Sequence, residues 1–458
     1  MNTINPDNRI DTTTSTHQLS RRGACNAADR DVWSPREKSM GNPWSVNNPT
    51  GTVILRLAEN SLLHEEIGQF VQTQIKVLPS DHPTYSTGPR GSRRLRNAAA
   101  TFLTEQFRSR QGIITADNIF ITAGVASAID ALAWAICNPG DGILIPRPLY
   151  NGFHVDILNR SNAQLVGVTY EGIEGFSTLD DLFRLEVNRR ALEAALLRAE
   201  SEGVTVRVLL VSNPHNPLGR CYPPETLMEF ARFCGEKSLH FISDEIYAMS
   251  GFPNPAIPIA TPFISTLALD FQGLIDPQLT HVLYGASKDF CANGLRLGLY
   301  WDILLVTACP PGCLGGHDRE QTLDGNFMRE KTTLMVENYT IATDFLRGHG
   351  IRYLEMDSGL FIWVDLRHLV GSDLEARNSG YKALKVTSPG ASVYKQREMR
   401  IAELCIKNGV MIAPGHVYVA EEYGWFRITF TVGKQALKEG LDRLWKSLEE
   451  AAVEFGLD

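Results

Sequence analysis

Residues Tyr284 to Gly298 read YGASKDFCANGLRLG and continue a short apolar run that begins at His281. The run has the length and composition of a buried strand, Gly285 ends it, and Lys288 falls where a βα turn would project an amine over a sheet edge. Eight residues further on, Arg296 stands between Leu295 and Leu297, with Gly294 and Gly298 outside them. That setting carries its guanidinium into apolar surroundings unless an anion meets it. A solvated lysine and a surface arginine are the ordinary reading of any one such pair, so the rest of the chain decides.

Working outward, the same strand-then-polar-turn pattern recurs. Ile119 to Gly124 (IFITAG) is a β run closed by glycine ahead of an apolar helix over Val125–Cys137. Such a junction offers backbone N–H groups to an anion. GDGILIPRPLYNGF (140–153), VTVRVLLVSNPHNPLGR (204–220) and KSLHFISDEIYAMSGF (237–252) supply further strands, the second ending in two Asn-Pro pairs, the third placing Asp244 and Glu245 after Phe241-Ile242. Strands alternating with helices predict an α/β fold with a mainly parallel sheet between helices and a ligand crevice at the strand C-terminal edge.

Upstream, Glu59 in LAEN (57–60) either opens the helix expected over Leu62–Val77 or faces the crevice. Tyr85 lies in a Pro/Gly-rich loop ahead of a helix beginning near Ser92, where it either packs or reaches a neighbour. Downstream, helical periodicity runs from Asn326, GLFIWVDLR (359–367) and VMIAPG (410–415) read as strands, and Met399–Lys407 reads as a helix. WFRITFT (425–431) is a strand with Arg427 at its centre, and an amphipathic helix over Gln435–Phe455 closes the chain.

With 458 residues the chain is too long for one ordinary core. The expected division is a mobile extension (1–50), an N-terminal arm serving the small domain and a dimer (51–90), a large cofactor-binding domain (91–305), an atypical linker (306–325) and a small α/β C-terminal domain (326–458). A net charge of -8 leaves no basic footprint, so neither nucleic acid nor an anionic membrane is the expected partner. Eight cysteines at irregular spacing read as reduced, buried thiols, and Cys309 with Cys313 alone make no metal site. No apolar stretch reaches the roughly 18 residues of a membrane span, and no apolar signal core is visible at the N-terminus, so a cytoplasmic location is expected.

The candidates form a set: one lysine, one buried acid, two arginines within apolar strands, an Asn-Pro turn, and tyrosines at 85, 150 and 247. Two cations call for two anions, such as a phosphate and a carboxylate, and a lysine within reach of them offers Schiff-base chemistry with an aldehyde. Pyridoxal 5'-phosphate (PLP) meets each demand, since its ring nitrogen needs an acid, its phosphate needs donors and its aldehyde needs an amine.

SNPHNPLG (212–219), SDEIY (243–247), SKDF (287–290) followed by GLRLG (294–298), and WFRITF (425–430), in this order, resemble the class I/II aminotransferase family of fold-type I PLP enzymes. Leu57-Ala58-Glu59-Asn60 resembles its 1-aminocyclopropane-1-carboxylate (ACC) synthase branch. The resemblance implies that Lys288 forms the Schiff base and shuttles the Cα proton, that Asp244 pairs with the ring nitrogen, and that Asn216 and Tyr247 bond the ring 3-oxygen. It further implies that Tyr150 stacks on the ring and that Arg296, with the backbone and hydroxyls of Gly124, Val125, Ala126 and Ser127, holds the phosphate. Arg427 would grip the substrate carboxylate, Glu59 would line the substrate pocket, and Tyr85 would reach the cofactor phosphate of a second subunit in a homodimer.

Gly285 stands where the family usually has a phosphate-binding serine and Ala126 where a threonine or serine is common, leaving Ser127 and Ser287 to compensate. Between Gly298 and Asn326 the chain bears no likeness to the family's interdomain helix and is shorter by roughly twenty residues. The expected function is amino-group transfer from an α-amino acid to a keto acid. An ACC synthase-like elimination or C–S lyase is the alternative, and a catalytically silent binding protein is a third.

Overall fold

The computed structural model describes residues 40–74, 89–110, 114–302, 325–371, 384–388 and 390–457. The first strand, β1 (Val53–Ile54), belongs to a unit completed only by the C-terminal third of the chain. The central sheet has seven strands: β2 (Ile119–Thr122), β3 (Gly142–Pro146), β4 (Gln164–Val168), β5 (Val206–Ser212), β6 (His240–Asp244), β7 (Thr280–Gly285) and β8 (Gly298–Asp302). Their order is β2-β8-β7-β6-β5-β3-β4, and β8 alone runs antiparallel to its neighbours. β3 and β7 are buried throughout and β5 and β6 nearly so, as expected for apolar runs covered on both faces, whereas the edge strands β2 and β4 are half-buried.

Helices α1 (His64–Gln74) and α2 (Arg93–Phe107) precede this sheet, and α3 (Val125–Ile136), α4 (Phe153–Ser161), α5 (Leu185–Ser201) and α6 (Pro224–Lys237) connect its strands. α3 and α4 pack on one face through Ile129, Leu132, Phe153 and Ile157, and α5 and α6 on the other through Leu192, Leu196, Phe230 and Phe233. α6 begins at Pro224, whose fixed φ suits a first turn, and ends at Ser238 in the left-handed region. A one-turn helix, α7 (Ala286–Asp289), follows β7 directly.

The second sheet, β9 (Arg352–Leu354), β10 (Phe361–Asp365), β12 (Ala413–Pro414) and β13 (Trp425–Thr429), has the order β12-β13-β10-β9 and is antiparallel throughout. Its helices are α8 (Gly325–Gly348), α9 (Arg367–Val370), α10 (Ser392–Lys407) and α11 (Lys434–Glu454). β1 pairs in parallel with β11 (Val410–Met411), and Val53 and Leu55 join its core. Order starts ahead of Gly51, since the Trp44 N–H donates to the Thr52 carbonyl at 2.9 Å and Trp44 packs on the same core. Among the described residues no helix is long and apolar enough to cross a membrane. Cys137, Cys221, Cys234, Cys291 and Cys405 are buried free thiols, while Cys309, Cys313 and the expected linker up to residue 324 lie outside the described residues.

Candidate active site

The polar residues arrive at one edge because each parallel strand ends there. Ser212 closes β5, Asp244 closes β6, Lys288 sits in the turn of helix after β7, and Tyr150 follows β3. With Val125, Ala126, Ile129, Asp156, Asn216, Ile246, Tyr247, Ser287, Asn293 and Arg296 they line a single cavity of about 160 Å³. Lys288, Asp244, Asn216, Tyr247, Tyr150, Ser287, Arg296, Val125 and Ala126, each expected from sequence, are therefore brought together.

Lys288 donates from Nζ to the Ala58 carbonyl and lies 6.0 Å from the centre of the Tyr247 ring. Its amine is held down to about 8, first by burial and then by the Arg427 and Arg296 charges, against the opposing pull of Glu59 and Asp244. Asp244, 5 % exposed, accepts the Ile246 N–H at 3.2 Å. Burial raises its carboxyl to about 7, the Ile246 bond and Lys288 lower it, and Asp156 and Glu245 add to the rise. Asn216 Nδ2 stands 3.5 Å from the Tyr247 hydroxyl, and the Tyr247 ring meets Phe361 of β10 edge-on at 5.4 Å. The Tyr150 hydroxyl is raised to about 12 by burial.

Arg427, 3 % exposed, is carried by β13 between the rings of Phe361 and Tyr418, each 4.8 Å from its guanidinium carbon. It donates to Asn216 Oδ1 at 3.0 Å and to the Arg56 carbonyl at 2.7 Å, while its buried Nε–H has no partner among the described residues. Arg296 corrects the sequence reading, for it is neither in a strand nor in apolar surroundings. It is exposed, in the left-handed region (φ 51°) at the end of a 3-10 turn, Asn293–Leu295, with Leu295 60 % exposed. The turn rotates the Leu-Arg-Leu triplet outward, so apolar neighbours in sequence do not become neighbours in space.

Gly124 explains how Arg296 still reaches the site. It caps α3 with φ 87°, and a Cβ there would clash with Arg296 Nη2. The guanidinium thus lies against the start of α3, where the helix leaves N–H groups free. Gly285 has a packing reason too, because a Cβ would meet the Leu297 carbonyl oxygen at 2.8 Å. Serine does not fit there as the backbone stands. The Ser127 hydroxyl donates to the Ala123 carbonyl at 3.2 Å and is not among the residues lining the cavity, whereas Ser287 lines it.

Glu59 precedes α1 instead of opening its first turn; its carboxylate lies 3.8 Å from His64 Nε2 and acts electrostatically on Lys288. Tyr85 lies outside the described residues. Sequence reasoning missed Asp156, a cavity-lining carboxyl raised to about 7 by burial and Asp130 and lowered by Arg296. It sits in the first turn of α4 with no motif around it; only its position six residues after Tyr150 was a signal. Ser212 opened a quoted motif without being assigned a place in the site.

A model of the aminotransferase class I and II family matches residues 52–301. A probable aminotransferase, tcpI, of Claviceps purpurea is 32% identical over 88% of this chain and 90% of its own length. ACC synthase 1 of Oryza sativa subsp. indica is 29% identical over 94% of this chain and 89% of its own. Among solved structures, an aspartate aminotransferase mutant of Thermus thermophilus complexed with tryptophan superposes with a TM-score of 0.61, at 19% identity, over 94% of this chain and 99% of that one. An aromatic aminotransferase of Pyrococcus horikoshii gives 0.61 at 19% over 90% and 98%. These structures show a shared fold, that of fold-type I.

Proposed function

The chain belongs to the class I and II aminotransferase family, and from that membership we propose that it transfers the amino group of an α-amino acid to a keto acid with PLP at the cavity just described. The observation that carries this reading is the convergence of a desolvated lysine, a buried acid and the Arg296–Gly124 cradle on one cavity, with Arg427 and its unpartnered N–H donor beside it. The residues fit the cofactor: the cradle suits a phosphate, Asp244 a pyridine nitrogen, and Asn216 and Tyr247 a ring oxygen. When bound, PLP supplies an aldehyde that condenses with amines and a ring that accepts the electron pair left at Cα.

Lys288, held near 8, has an appreciable neutral fraction at physiological pH and so can take a proton from Cα and return it. Asp244 keeps a positive charge at the ring nitrogen when ionised. Tyr150 offers an aromatic face. Arg427, braced from two sides and stacked between two rings, presents its remaining N–H donors to the substrate carboxylate in a planar fork that lysine lacks. Tyr85 supports a homodimer with shared sites, by resemblance alone, and the same family resemblance supports an enzyme of amino acid metabolism.

A second reading, an ACC synthase-like elimination or C–S lyase, is favoured by Glu59, whose carboxylate is near enough to Lys288 to raise the amine's proton affinity. Incubation with amino acids and a keto acid separates the two. Appearance of the exchanged keto acid supports transfer, and release of ammonia or a thiol without an acceptor supports elimination. Under either reading, PLP added to the native chain gives a visible band that borohydride abolishes, and K288A loses that band together with at least about 10³-fold in activity. A native chain that stays colourless with PLP defeats both and leaves a binding protein.

A further inference from the structure

A second lysine lies behind the first. Lys331 of α8 is fully buried, and its Nζ donates to the Met249 carbonyl at 2.9 Å and the Asp289 carbonyl at 3.2 Å, while standing 3.6 Å from Asp289 Oδ1. The carboxylate of Asp289, also fully buried, accepts on Oδ2 the Met249 N–H and the Tyr284 hydroxyl, each at 3.0 Å. One knot thus ties β7, α7, the segment after Tyr247 and α8. Two further titratable groups lie here: the Tyr284 hydroxyl, raised well above its ordinary value by burial and by Asp289, and the Cys291 thiol, raised to about 11 by burial.

A buried ion pair is a poor way to gain stability, because desolvation offsets its attraction and an apolar pair of similar volume does as well. What it adds is direction. α7 is a single turn of four residues, too short to hold a helical orientation by itself. Successive residues on a helix point about 100° apart, so a clamp on Asp289 fixes the azimuth of Lys288 beside it. The two carbonyls that Lys331 holds belong to Asp289 and to Met249, two residues after the Tyr247 that Lys288 faces.

We propose that Lys331 and Asp289 are positioning residues that aim the Lys288 amine into the cavity, so that α8, packed with the second sheet, sets the geometry of the working lysine. The inference rests on the role given to Lys288 above, and its test needs no cofactor. In the cofactor-free full chain, competitive acetylation with acetic anhydride from pH 6 to 11, read by mass spectrometry on the peptide bearing Lys288, gives the midpoint of that amine. The native midpoint is expected near 8. D289N/K331M removes both charges together, so no unpaired ion is left and the net charge is unchanged. Its circular dichroism should stay native and its Tm fall by a few degrees, because the Met249 and Asp289 carbonyls lose the Lys331 donor, while the Lys288 midpoint rises by a unit or more, a tenfold gain in proton affinity, as the amine leaves its desolvated seat.

Simple loss of the Asp289 charge lowers the midpoint and simple loss of the Lys331 charge raises it, so deleting the pair together leaves little net electrostatic change to mimic the expected rise. D289N alone leaves Lys331 unpaired and should lower Tm. Y284F deletes one hydrogen bond to Asp289 and should raise the midpoint by a smaller amount, which keeps the test decisive if the double variant does not fold. A folded double variant, or Y284F if that variant does not fold, with the native midpoint overturns the inference, as does a native midpoint at the ordinary lysine value. A native midpoint near 8 that moves in the variants, in a chain that gives no band with PLP, upholds the positioning pair and sinks the PLP reading.

Discussion

At the end of β6 the chain passes from a cavity wall to a hydrogen-bonded cage within two residues. Asp244 accepts one backbone N–H and lines the cavity. Glu245, equally buried, accepts from Ser243 Oγ (2.9 Å), Ser265 Oγ (2.5 Å), Thr266 N (2.9 Å) and Thr266 Oγ1 (2.9 Å). Burial pushes both carboxyls up to about 7. A raised acid is therefore not by itself a sign of a site; what distinguishes the two is whether the surroundings already satisfy the oxygens. Asp244 has capacity left for a ligand, and Glu245 is committed to holding the Ser265–Ala268 turn.

The comparison breaks if the two acids respond alike to loss of charge. D244N is expected to reduce kcat by about 10²–10³-fold with Tm little changed. E245Q places an amide among donors that need an acceptor, at a cost of about 1–3 kcal/mol, so Tm falls by several degrees while the activity of the folded fraction persists. Equal kinetic losses would show that the cage matters to chemistry.

The two arginines extend the comparison at lower magnitude. R427K should raise KM for the amino acid by about 10- to 100-fold, because a buried fork is replaced by a point charge. R296A should weaken PLP binding by about tenfold, measured by equilibrium dialysis, since an exposed cation is screened. A larger loss from R296A than from R427K would reverse the ranking that burial implies.

The smallest effect is on stability against pH in the cofactor-free chain. Folded Asp244 keeps its proton to about pH 7 while the unfolded chain releases it near 3.8, so between these values the folded state binds more protons and stability falls as pH rises. Folded Lys288 releases its proton at about 8 and the unfolded chain near 10.5, so stability rises across that window. Tm is expected to flatten in D244N from pH 4 to 7, though only partly because Glu245 and Asp156 contribute in the same sense, and in K288M above pH 8. Unaltered slopes would place both groups in solvent.

The strand-end residues were legible because period and position coincide: an apolar run that stops at a polar residue leaves it on the sheet edge, which is where Asp244 and Lys288 lie. Arg296 was misread because flanking leucines say nothing about a left-handed turn that faces them outward. Asp156 carried no motif, and the parallel pairing of β1 with β11 joins segments too distant in sequence for any local pattern to disclose. Three of the second unit's four helices were found; α9 was not, its Arg367 reading as the end of the preceding strand, and α10 begins at Ser392, earlier than the expected Met399, since its first turns expose Val393 and mask the periodicity.

The amino-acid sequence by itself determined the α/β class, the family and the inventory of charged groups, because local apolar periodicity and motif order are written along the chain. Only the tertiary structure decided which groups share a cavity and which of two adjacent buried acids stays unsatisfied. It also decided that a lysine from α8 stands behind the working one. Burial and hydrogen-bond partners are properties of contacts between distant segments, and their energies exist only once the segments have met.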